Sequence, residues 1–248
     1  MKLLTKATIE TFGDWLESID DEGGIVLIDK IKGYTSFDVI AKLRGICRIK
    51  KIGHTGTLDP LATGLLMCCV GRKATRLIST FENDVKQYHC TLKIGATTKT
   101  YDLESEEDNF QDYSTVTKEQ IHDVLENLSG EIMQIPPLFS AIKVNGVRAY
   151  TLARKSSDIE LEARKITIFG YSDVEIDLPI IKFKVDCSKG TYIRTLANDI
   201  GKQLGCGAYL KELRRTKIAE YSVEDATTID EMNVKRREYL QAKANNPQ

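Results

Sequence analysis

The chain has 248 residues, of which 42% are hydrophobic, and its formal net charge is −1. This length and composition predict a globular protein with a sizeable core, either one large domain or a domain with an appendage. No stretch approaches the ~20 apolar residues of a membrane span, and the N-terminus lacks the apolar core of a signal peptide. We therefore expect a cytoplasmic protein that does not associate with membranes.

Charged residues lie in separate blocks along the chain. Basic residues dominate 30–51 and 189–217, whereas the segment 102–126 is acidic. Separate blocks can give a neutral protein one basic face, although each block taken alone is more typical of a solvated helix or loop surface.

Hydrophobic periodicity predicts the elements of the N-terminal half. Apolar residues recur at helical spacing over 7–19, and the apolar run GIVLID at 24–29 predicts a buried strand. Ser36 is the candidate N-cap of the next helix. A continuous apolar run at 64–71 predicts another buried strand, and alternation over 86–95 predicts a strand with one solvated face.

The C-terminal half alternates between short strands and helices. A capping-box pattern from Thr117 to Gln120 predicts the start of a helix. The remaining predicted elements are strands at 140–144, 163–172 and 180–187, and helices at 191–204 and 228–241. Because the elements are interleaved and several strands alternate, we expect an α+β fold with a mixed, mainly antiparallel sheet and packed helices.

The segment GHTGTLDPLATGLL, residues 53–66, carries a single acidic residue, Asp59. Its glycines permit close approach of a ligand, and Pro60 restricts the conformation of Asp59, so the loop can present a carboxylate rigidly. The alternative is an ordinary turn, in which the aspartate bonds to its own backbone. Phosphate binding is disfavoured, because neither a GxxxxGK[ST] nor a GxGxxG spacing occurs in the segment.

Three further stretches contain unusual residues. Arg194 lies early in the helix predicted at 191–204, where the helix dipole disfavours a cation, and this indicates a local anion. Pro136-Pro137 predicts a rigid turn, and Asn145-Gly146 predicts a hairpin. Residues 213–226 form either a basic strand or a solvated edge.

Metal-dependent chemistry is not indicated. His54, His89 and His122 are scattered among unlike elements, without an HxxxH or HxxE spacing. The six cysteines include no CxxC pair, and several fall in apolar runs, which predicts buried, reduced thiols. A GxSxG elbow is also missing. We therefore expect no metal, and we expect any catalysis to use the Asp59 carboxylate as a nucleophile or as an acid or base.

The Asp59 segment closely resembles the catalytic-aspartate motif of the TruB-type tRNA pseudouridine synthases. Three other segments resemble motifs of this family, namely DKIKGYTSFDVIAKLR, KQYHCTLKIGATTKTYD and PPLFSAIKVNGVRAYTLAR. The family's remaining motifs follow in the same order along the chain, as CSKGTYIRTLANDIG and LRRTKIAEYSVEDA. The six segments together span about residues 24–228. The chain departs from the family's DKPxGxTS pattern at Ile31, where the family has proline, which concerns the local turn and not the chemistry.

This resemblance implies that the chain isomerises the T-loop uridine of tRNA, position 55, to pseudouridine without a metal or another cofactor. Asp59 would be the essential residue. It would either attack the nucleotide covalently or remove a ribose proton to give a glycal, and the sequence leaves both routes open. Arg194 would pair with Asp59 and keep it ionised and oriented.

The resemblance also implies several contacts to the substrate. Tyr88 would lie against the flipped uracil, although its alternation with apolar neighbours is typical of a core tyrosine. Tyr192 would contact the base, Leu213 would help to form the wall of the pocket, and His54 would help to hold the T-loop. Stacking surfaces and basic strips are what the extrusion of a base requires.

Many bacterial members of this family carry a C-terminal RNA-binding PUA domain, whereas about twenty residues follow the last motif here. We therefore expect a catalytic domain with an N-terminal helical extension over 1–228, and a short C-terminal helix and tail over 229–248 without a full PUA domain. The expected partner is the T-arm of tRNA, bound by a monomer, with no guide RNA.

Two other functions are compatible with the sequence. The separated basic blocks also suit an RNA-binding or tRNA-folding module without catalysis, but such a module need not retain Asp59. A metal-free glycosidase acting on another nucleoside would release the free base instead of an isomer.

Overall fold

A computed structural model of the chain describes residues 1–81, 84–140, 143–144, 147–148 and 161–245. The chain divides into two compact units. Unit 1 consists of Met1–Lys86 and Arg214–Gln248, and unit 2 consists of Gln87–Leu213.

Strands and helices alternate along the described residues. The strands are β1 (Lys2–Leu4), β2 (Gly24–Lys30), β3 (Ile52–His54), β4 (Thr63–Val70), β5 (Lys86–Ile94), β6 (Thr97–Thr98), β7 (Glu107–Asp108), β8 (Gly130–Gln134), β9 (Lys143–Val144), β10 (Val147–Arg148), β11 (Arg164–Asp177), β12 (Ile180–Cys187), β13 (Ala208–Ile218) and β14 (Tyr221–Ser222). The helices are α1 (Phe12–Glu22), α2 (Ser36–Cys47), α3 (Arg72–Thr75), α4 (Ile78–Phe81), α5 (Lys118–Asn127), α6 (Ile193–Leu204) and α7 (Ile229–Asn245).

The sheet of unit 1 is built around β4. Strand β2 pairs antiparallel with β4, from Gly24 opposite Val70 to Lys30 opposite Gly64. β3 also pairs antiparallel with β4, whereas β1 runs parallel to β2. The last part of β13 pairs parallel with the start of β4, where Arg215 lies opposite Gly64. The predicted strands at 24–29 and 64–71 are thus confirmed as β2 and β4.

Both faces of this sheet are buried. On one face, side chains of β2 and β4 pack with α1, α2 and α7, and Trp15 of α1 and Met232 of α7 are part of this core. On the other face, the alternate residues of the same strands pack with α3 and the end of β13. Burial on both faces explains why β2 and β4 have continuous apolar sequences instead of alternating ones.

Helix α2 begins with a capping box. The Thr35 side chain accepts a hydrogen bond from the backbone N–H of Asp38, and the Asp38 carboxylate accepts one from the N–H of Thr35. Thr35 is therefore the N-cap, and the prediction of Ser36 is wrong by one residue. Ser36 is instead the first residue of the helix, and its buried hydroxyl bonds elsewhere.

The sheet of unit 2 contains the first part of β13 followed by β5, β12, β11 and β8 as successive neighbours. β11 forms long antiparallel pairs with both β12 and β8. Along β5, Tyr88, Cys90, Leu92 and Ile94 are buried while His89 is exposed, as the predicted alternation requires. Thr91, which the alternation places on the solvated face, is buried as well, so that face is only partly solvated. β9 and β10 pair with each other, but the Asn145-Gly146 turn predicted between them lies outside the described residues.

Helices α5 and α6 contact each other in unit 2. The predicted capping box of α5 is confirmed, because Thr117 and Gln120 exchange both of its hydrogen bonds. The two units confirm the expected α+β fold, because the described strands pair in both antiparallel and parallel directions and helices pack against them. All six cysteines are reduced and buried, as predicted. None of the described helices has the length and apolar character needed to cross a membrane.

Gly64 offers a test of how closely β4 and β13 approach. Its φ is +101°, and an added Cβ would lie 2.3 Å from the carbonyl oxygen of Arg215. We expect Gly64→Ala to lower the free energy of unfolding by at least ~2 kcal/mol in urea denaturation, because the two strands must separate and the backbone is strained. Gly45→Ala is the control. No atom lies within 4 Å of its added Cβ, and this exposed helical site should become up to ~1 kcal/mol more stable.

Candidate active site

Asp59 lies in the loop that joins β3 to β4, residues 55–62, called the Asp59 loop from here on. The carbonyl of Asp59 accepts a hydrogen bond from the N–H of Ala62 at 3.1 Å, which closes a tight turn. The next carbonyl, that of Pro60, accepts from the N–H of Gly33 at 2.8 Å. Asp59 is partly exposed. The backbone at Asp59 therefore forms a turn, as the alternative interpretation proposed, and this turn leaves the residue partly exposed.

Ser36 bonds the residue that precedes Asp59. Its buried Oγ accepts from the N–H of Leu58 at 2.9 Å and donates to the carbonyl of Leu58 at 3.2 Å. A single hydroxyl thus satisfies both backbone groups of a buried residue. Because Ser36 is the first residue of α2, these bonds connect the Asp59 loop directly to the start of that helix.

Arg215 connects the two sides of the Asp59 loop. Its side chain is 1% exposed. Nε donates to the carbonyl of Leu65 at 2.7 Å, and Nη2 donates to the carbonyl of Gly56 at 3.1 Å. Sequence analysis left residues 213–226 as a basic strand or a solvated edge, and it did not identify Arg215, because basic residues in a row indicate solvent exposure and carry no signal of burial.

Lys30, at the end of β2, adds a second buried positive charge. Its Nζ donates to the carbonyls of Tyr34 at 2.6 Å and Ile31 at 3.1 Å. Burial lowers the pKa of Lys30 to about 8, the Asp59 carboxylate opposes this shift, and the Arg215 guanidinium adds to it. Lys30 therefore remains mostly protonated near pH 7, and its charge attracts the Asp59 carboxylate.

His54 ends β3 and is uncharged near neutral pH. Burial lowers its pKa to about 4, and the Arg215 charge contributes to the shift. Nδ1 accepts a hydrogen bond from the N–H of Gly56 at 3.3 Å, which leaves the proton of the neutral ring on Nε2. The Phe37 ring lies perpendicular to the imidazole, with 6.3 Å between the ring centres.

Arg194 of unit 2 has a buried anionic neighbour. Its Nε lies 3.5 Å from Oδ2 of Asp102, while Nη1 and Nη2 donate to the carbonyls of Thr100 and Phe139 at 3.2 and 2.9 Å. The Asp102 carboxylate is itself fixed by hydrogen bonds from the Thr100 hydroxyl and the Glu104 N–H. The anion expected beside the start of α6 is thus present. Sequence analysis assigned no role to Asp102, although it ends one of the recognised motifs.

The other predicted site residues also lie in unit 2. Tyr192 is the N-cap of α6, and its backbone exchanges two hydrogen bonds with the buried side chain of Gln134, at 2.7 and 3.1 Å. Tyr88 is buried on β5, and Leu213 is partly exposed on β13. Tyr192 and Arg194 are thus brought together at the start of one helix. Their contacts with a uridine, and the pairing of Arg194 with Asp59, stay predictions.

Known protein families match nearly the whole chain. Residues 44–193 match the model of the TruB family pseudouridylate synthase N-terminal domain, which is more than half of the 248 residues. The chain belongs to the TruB family. Residues 194–244 match the tRNA pseudouridylate synthase B C-terminal domain. Family membership confirms the resemblance drawn from the six motifs and makes this TruB-family chain a pseudouridine synthase.

Its curated relatives are similar over most of both chains. A tRNA pseudouridine synthase B of Desulfotalea psychrophila is 47% identical over 218 residues, which cover 86% of this chain and 89% of the relative. The enzyme of Flavobacterium johnsoniae is 48% identical over 84% of this chain and 93% of the relative. The enzyme of Clostridium tetani is 45% identical over 85% of this chain and 72% of the relative.

Two solved structures are similar in fold to this TruB-family chain. One is a chain of a Cbf5-Nop10-Gar1 complex, with a TM-score of 0.68 and 27% identity. The other belongs to an archaeal box H/ACA sRNP Nop10-Cbf5 complex, with a TM-score of 0.67 and 24% identity. This chain is covered to 93% and 92%, but it spans only 58% of either solved chain.

The Ser36 hydroxyl can be tested by deleting it. We expect Ser36→Ala to lower the free energy of unfolding by ~1–2 kcal/mol, because it leaves the buried backbone groups of Leu58 without partners. Hydrogen exchange of the Leu58 amide should become faster. The control is Ser18→Ala, whose hydroxyl donates to the carbonyl of Trp15 within α1 and braces no loop. Equal effects of the two variants would contradict a specific role for Ser36.

The neutral state of His54 predicts a pH dependence of stability. The unfolded chain binds a proton at this group near pH 6.5, whereas the folded chain does so only near pH 4. The unfolded state therefore holds more protons between these values, and stability falls as the pH drops from 6.5 to 4, by at most ~3 kcal/mol. In denaturation experiments, the free energy of unfolding of His54→Gln should not show this fall between pH 6.5 and 4. His89→Gln changes an exposed histidine and should still show it.

Proposed function

We propose that this chain converts the T-loop uridine of tRNA to pseudouridine, with Asp59 as the catalytic residue and with no metal or cofactor. Membership in the TruB family, together with relatives named tRNA pseudouridine synthase B over most of both chains, supports a tRNA uridine as the substrate. The observation that carries the assignment to Asp59 is its loop, which is bonded at Gly56, Leu58 and Pro60 while Asp59 itself stays partly exposed.

The chemistry requires one bond to break and one to form at the same sugar carbon. The bond from N1 of uracil to C1′ of ribose breaks, the base turns, and C5 bonds to C1′. C5 then loses its proton and N1 gains one, so substrate and product have the same atoms. The steps are proton transfers together with either substitution at C1′ or, by a glycal, elimination of uracil from C1′ and its addition back through C5. A positioned carboxylate can act as nucleophile or as acid and base in these steps without a redox group.

Asp59 would take part in one of two ways. It would attack the nucleotide and form an ester that is later cleaved, or it would remove a ribose proton to give a glycal. Both routes require the ionised carboxylate, and the charge of the buried Lys30 interacts with that of Asp59. In the proposed complex Arg194 also pairs with Asp59, and this interaction orients the carboxylate toward the sugar.

The remaining residues would hold the substrate. Tyr88 lies against the extruded uracil, Tyr192 contacts the base, Leu213 forms part of the wall, and His54 holds the T-loop. The target uridine has to leave its stack before a carboxylate can reach its sugar, so the enzyme needs such surfaces. These roles follow from the family motifs.

We also propose that the chain acts as a cytoplasmic monomer on tRNA and without a guide RNA. The chain is 45–48% identical to relatives named tRNA pseudouridine synthase B, whereas it is only 24–27% identical to chains from H/ACA and Cbf5-Nop10-Gar1 complexes. Residues 1–228 would form the catalytic domain, and residues 229–248 would form a short C-terminal helix and tail. Most of that segment is α7, which packs on α1 and α2.

Release of the C5 hydrogen tests the proposal directly. A T-arm stem-loop carrying tritium at C5 of its uridines should lose tritium to water when it is incubated with the wild type. Asp59→Asn should lower the rate at least ~1,000-fold, because the amide is neither a nucleophile nor a base. The control Asp14→Asn, at an exposed aspartate of α1, should react like the wild type.

Each outcome of this assay has a separate meaning. No tritium release by the wild type would contradict the proposed reaction, and full activity of Asp59→Asn would contradict the role of Asp59. Chromatography of the digested RNA should show pseudouridine, whereas free uracil would identify a glycosidase. Rescue of a deletion strain by Asp59→Asn would favour the RNA-folding alternative.

A further inference from the structure

An exposed aromatic side chain lies beside the Asp59 loop and has no role in the proposed chemistry. Phe37, the second residue of α2, is 62% exposed. Its ring lies perpendicular to that of His54, at an angle of 89° and with 6.3 Å between the ring centres. Phe37 therefore presents an exposed ring beside the partly exposed imidazole of His54, and this perpendicular pair of rings is called the corner from here on.

This corner is tied to the loop that carries Asp59. Phe37 directly follows Ser36, whose hydroxyl holds Leu58 through two hydrogen bonds. His54 accepts a hydrogen bond from Gly56 at the start of the same loop. The Thr35 capping box, described above, fixes the first turn of α2 independently. The two rings therefore keep a defined position relative to the Asp59 backbone within unit 1.

The chemistry of the corner suits a planar uncharged ring. Phe37 is apolar, and His54 is neutral near pH 7 because burial holds its pKa at about 4. A neutral pair does not attract a phosphate, but it provides π-faces and one ring N–H. Nucleobases stack on aromatic faces without strong preference for sequence, and unpaired loop bases are the ones free to do so. Exposed Lys32 and Lys42 nearby in sequence supply charge for the RNA backbone.

We propose that Phe37 and His54 form a stacking platform for an unpaired nucleobase of the RNA loop, different from the uridine that reacts at Asp59. The proposal rests on the proposed function only in that the ligand is RNA. The residue to which it assigns a new role is Phe37, which forms the second side of the corner and supplies the exposed ring face. The platform holds the loop while the reacting uridine is extruded.

Binding can be measured without turnover in the Asp59→Asn background. T-arm stem-loops would carry 2-aminopurine at one unpaired loop position at a time. We expect binding to quench the probe at one position through stacking, and Phe37→Ala to abolish this quenching and weaken binding about 10-fold. Phe37→Tyr and Phe37→Trp should restore both, whereas Phe37→Leu should not, because it retains apolar contact but has no ring face.

Two other exposed phenylalanines provide matched controls. Phe110 is 72% exposed and Phe169 is 57% exposed, both in unit 2. Phe110→Ala and Phe169→Ala should leave affinity and quenching unchanged. With Asp59 intact, Phe37→Ala should raise KM about 10-fold and change kcat less than 2-fold, because the platform binds RNA without touching the reacting atoms.

The platform and the proposed function fail in different ways. Unchanged affinity and quenching in Phe37→Ala would overturn the platform, and so would wild-type binding by Phe37→Leu. Absence of tritium release by the wild type would overturn the proposed function, while the quenching experiment would still decide whether Phe37 stacks on a base. Thermal unfolding of each Phe37 variant should match the wild type, since the side chain is mostly exposed.

Discussion

The buried guanidinium of Arg215 imposes the main constraint on unit 1. A charge that is almost fully buried requires hydrogen-bond acceptors, and it finds them in the carbonyls of Gly56 and Leu65, one on each side of the Asp59 loop. The backbone of Arg215 also passes so close to Gly64 that no side chain fits there. The ends of the loop are thereby held together, and the backbone that carries Asp59 is fixed.

Two distant parts of the sequence bond the same loop. Ser36 brings the start of α2 to Leu58, Gly33 bonds Pro60, and Arg215 arrives from β13. Three of the six recognised motifs therefore meet around a single turn. The positive charges of Lys30 and Arg215 then lie where the proposed chemistry needs an anion, so the bonds that hold the loop also set its electrostatics. Unit 2 also contains a buried guanidinium whose charge is matched by nearby acceptors. Arg194 lies between two carbonyls and the Asp102 carboxylate, and these contacts fix its plane.

Much of the secondary structure could be predicted from local patterns. The apolar runs of β2 and β4 and the capping box at Thr117 depend on neighbours within a few residues, and all three are confirmed. The alternation of β5 is confirmed except at Thr91, which is buried. The α2 cap was wrong by one residue, because Thr35 and Ser36 both favour N-caps and the tertiary contact of Ser36 with Leu58 decides between them. The burial of Arg215 and the pairing of Asp102 with Arg194 were missed, since the carbonyls that bond Arg215 and the guanidinium beside Asp102 are distant in sequence.

The sequence by itself determined the family, the expected reaction and the prediction that Asp59 is the catalytic residue, because the order and residue types of the motifs are properties of the chain. The tertiary structure decided how Asp59 is held. The bond from Arg215 to Gly56 spans 159 residues, and the bond from Ser36 to Leu58 spans 22. Such pairs form only when the whole sheet and its helices have assembled, and burial then converts ordinary polar side chains into fixed supports. A local pattern cannot contain that information, because hydrogen bonds strengthen and desolvation acts only after distant segments have excluded water.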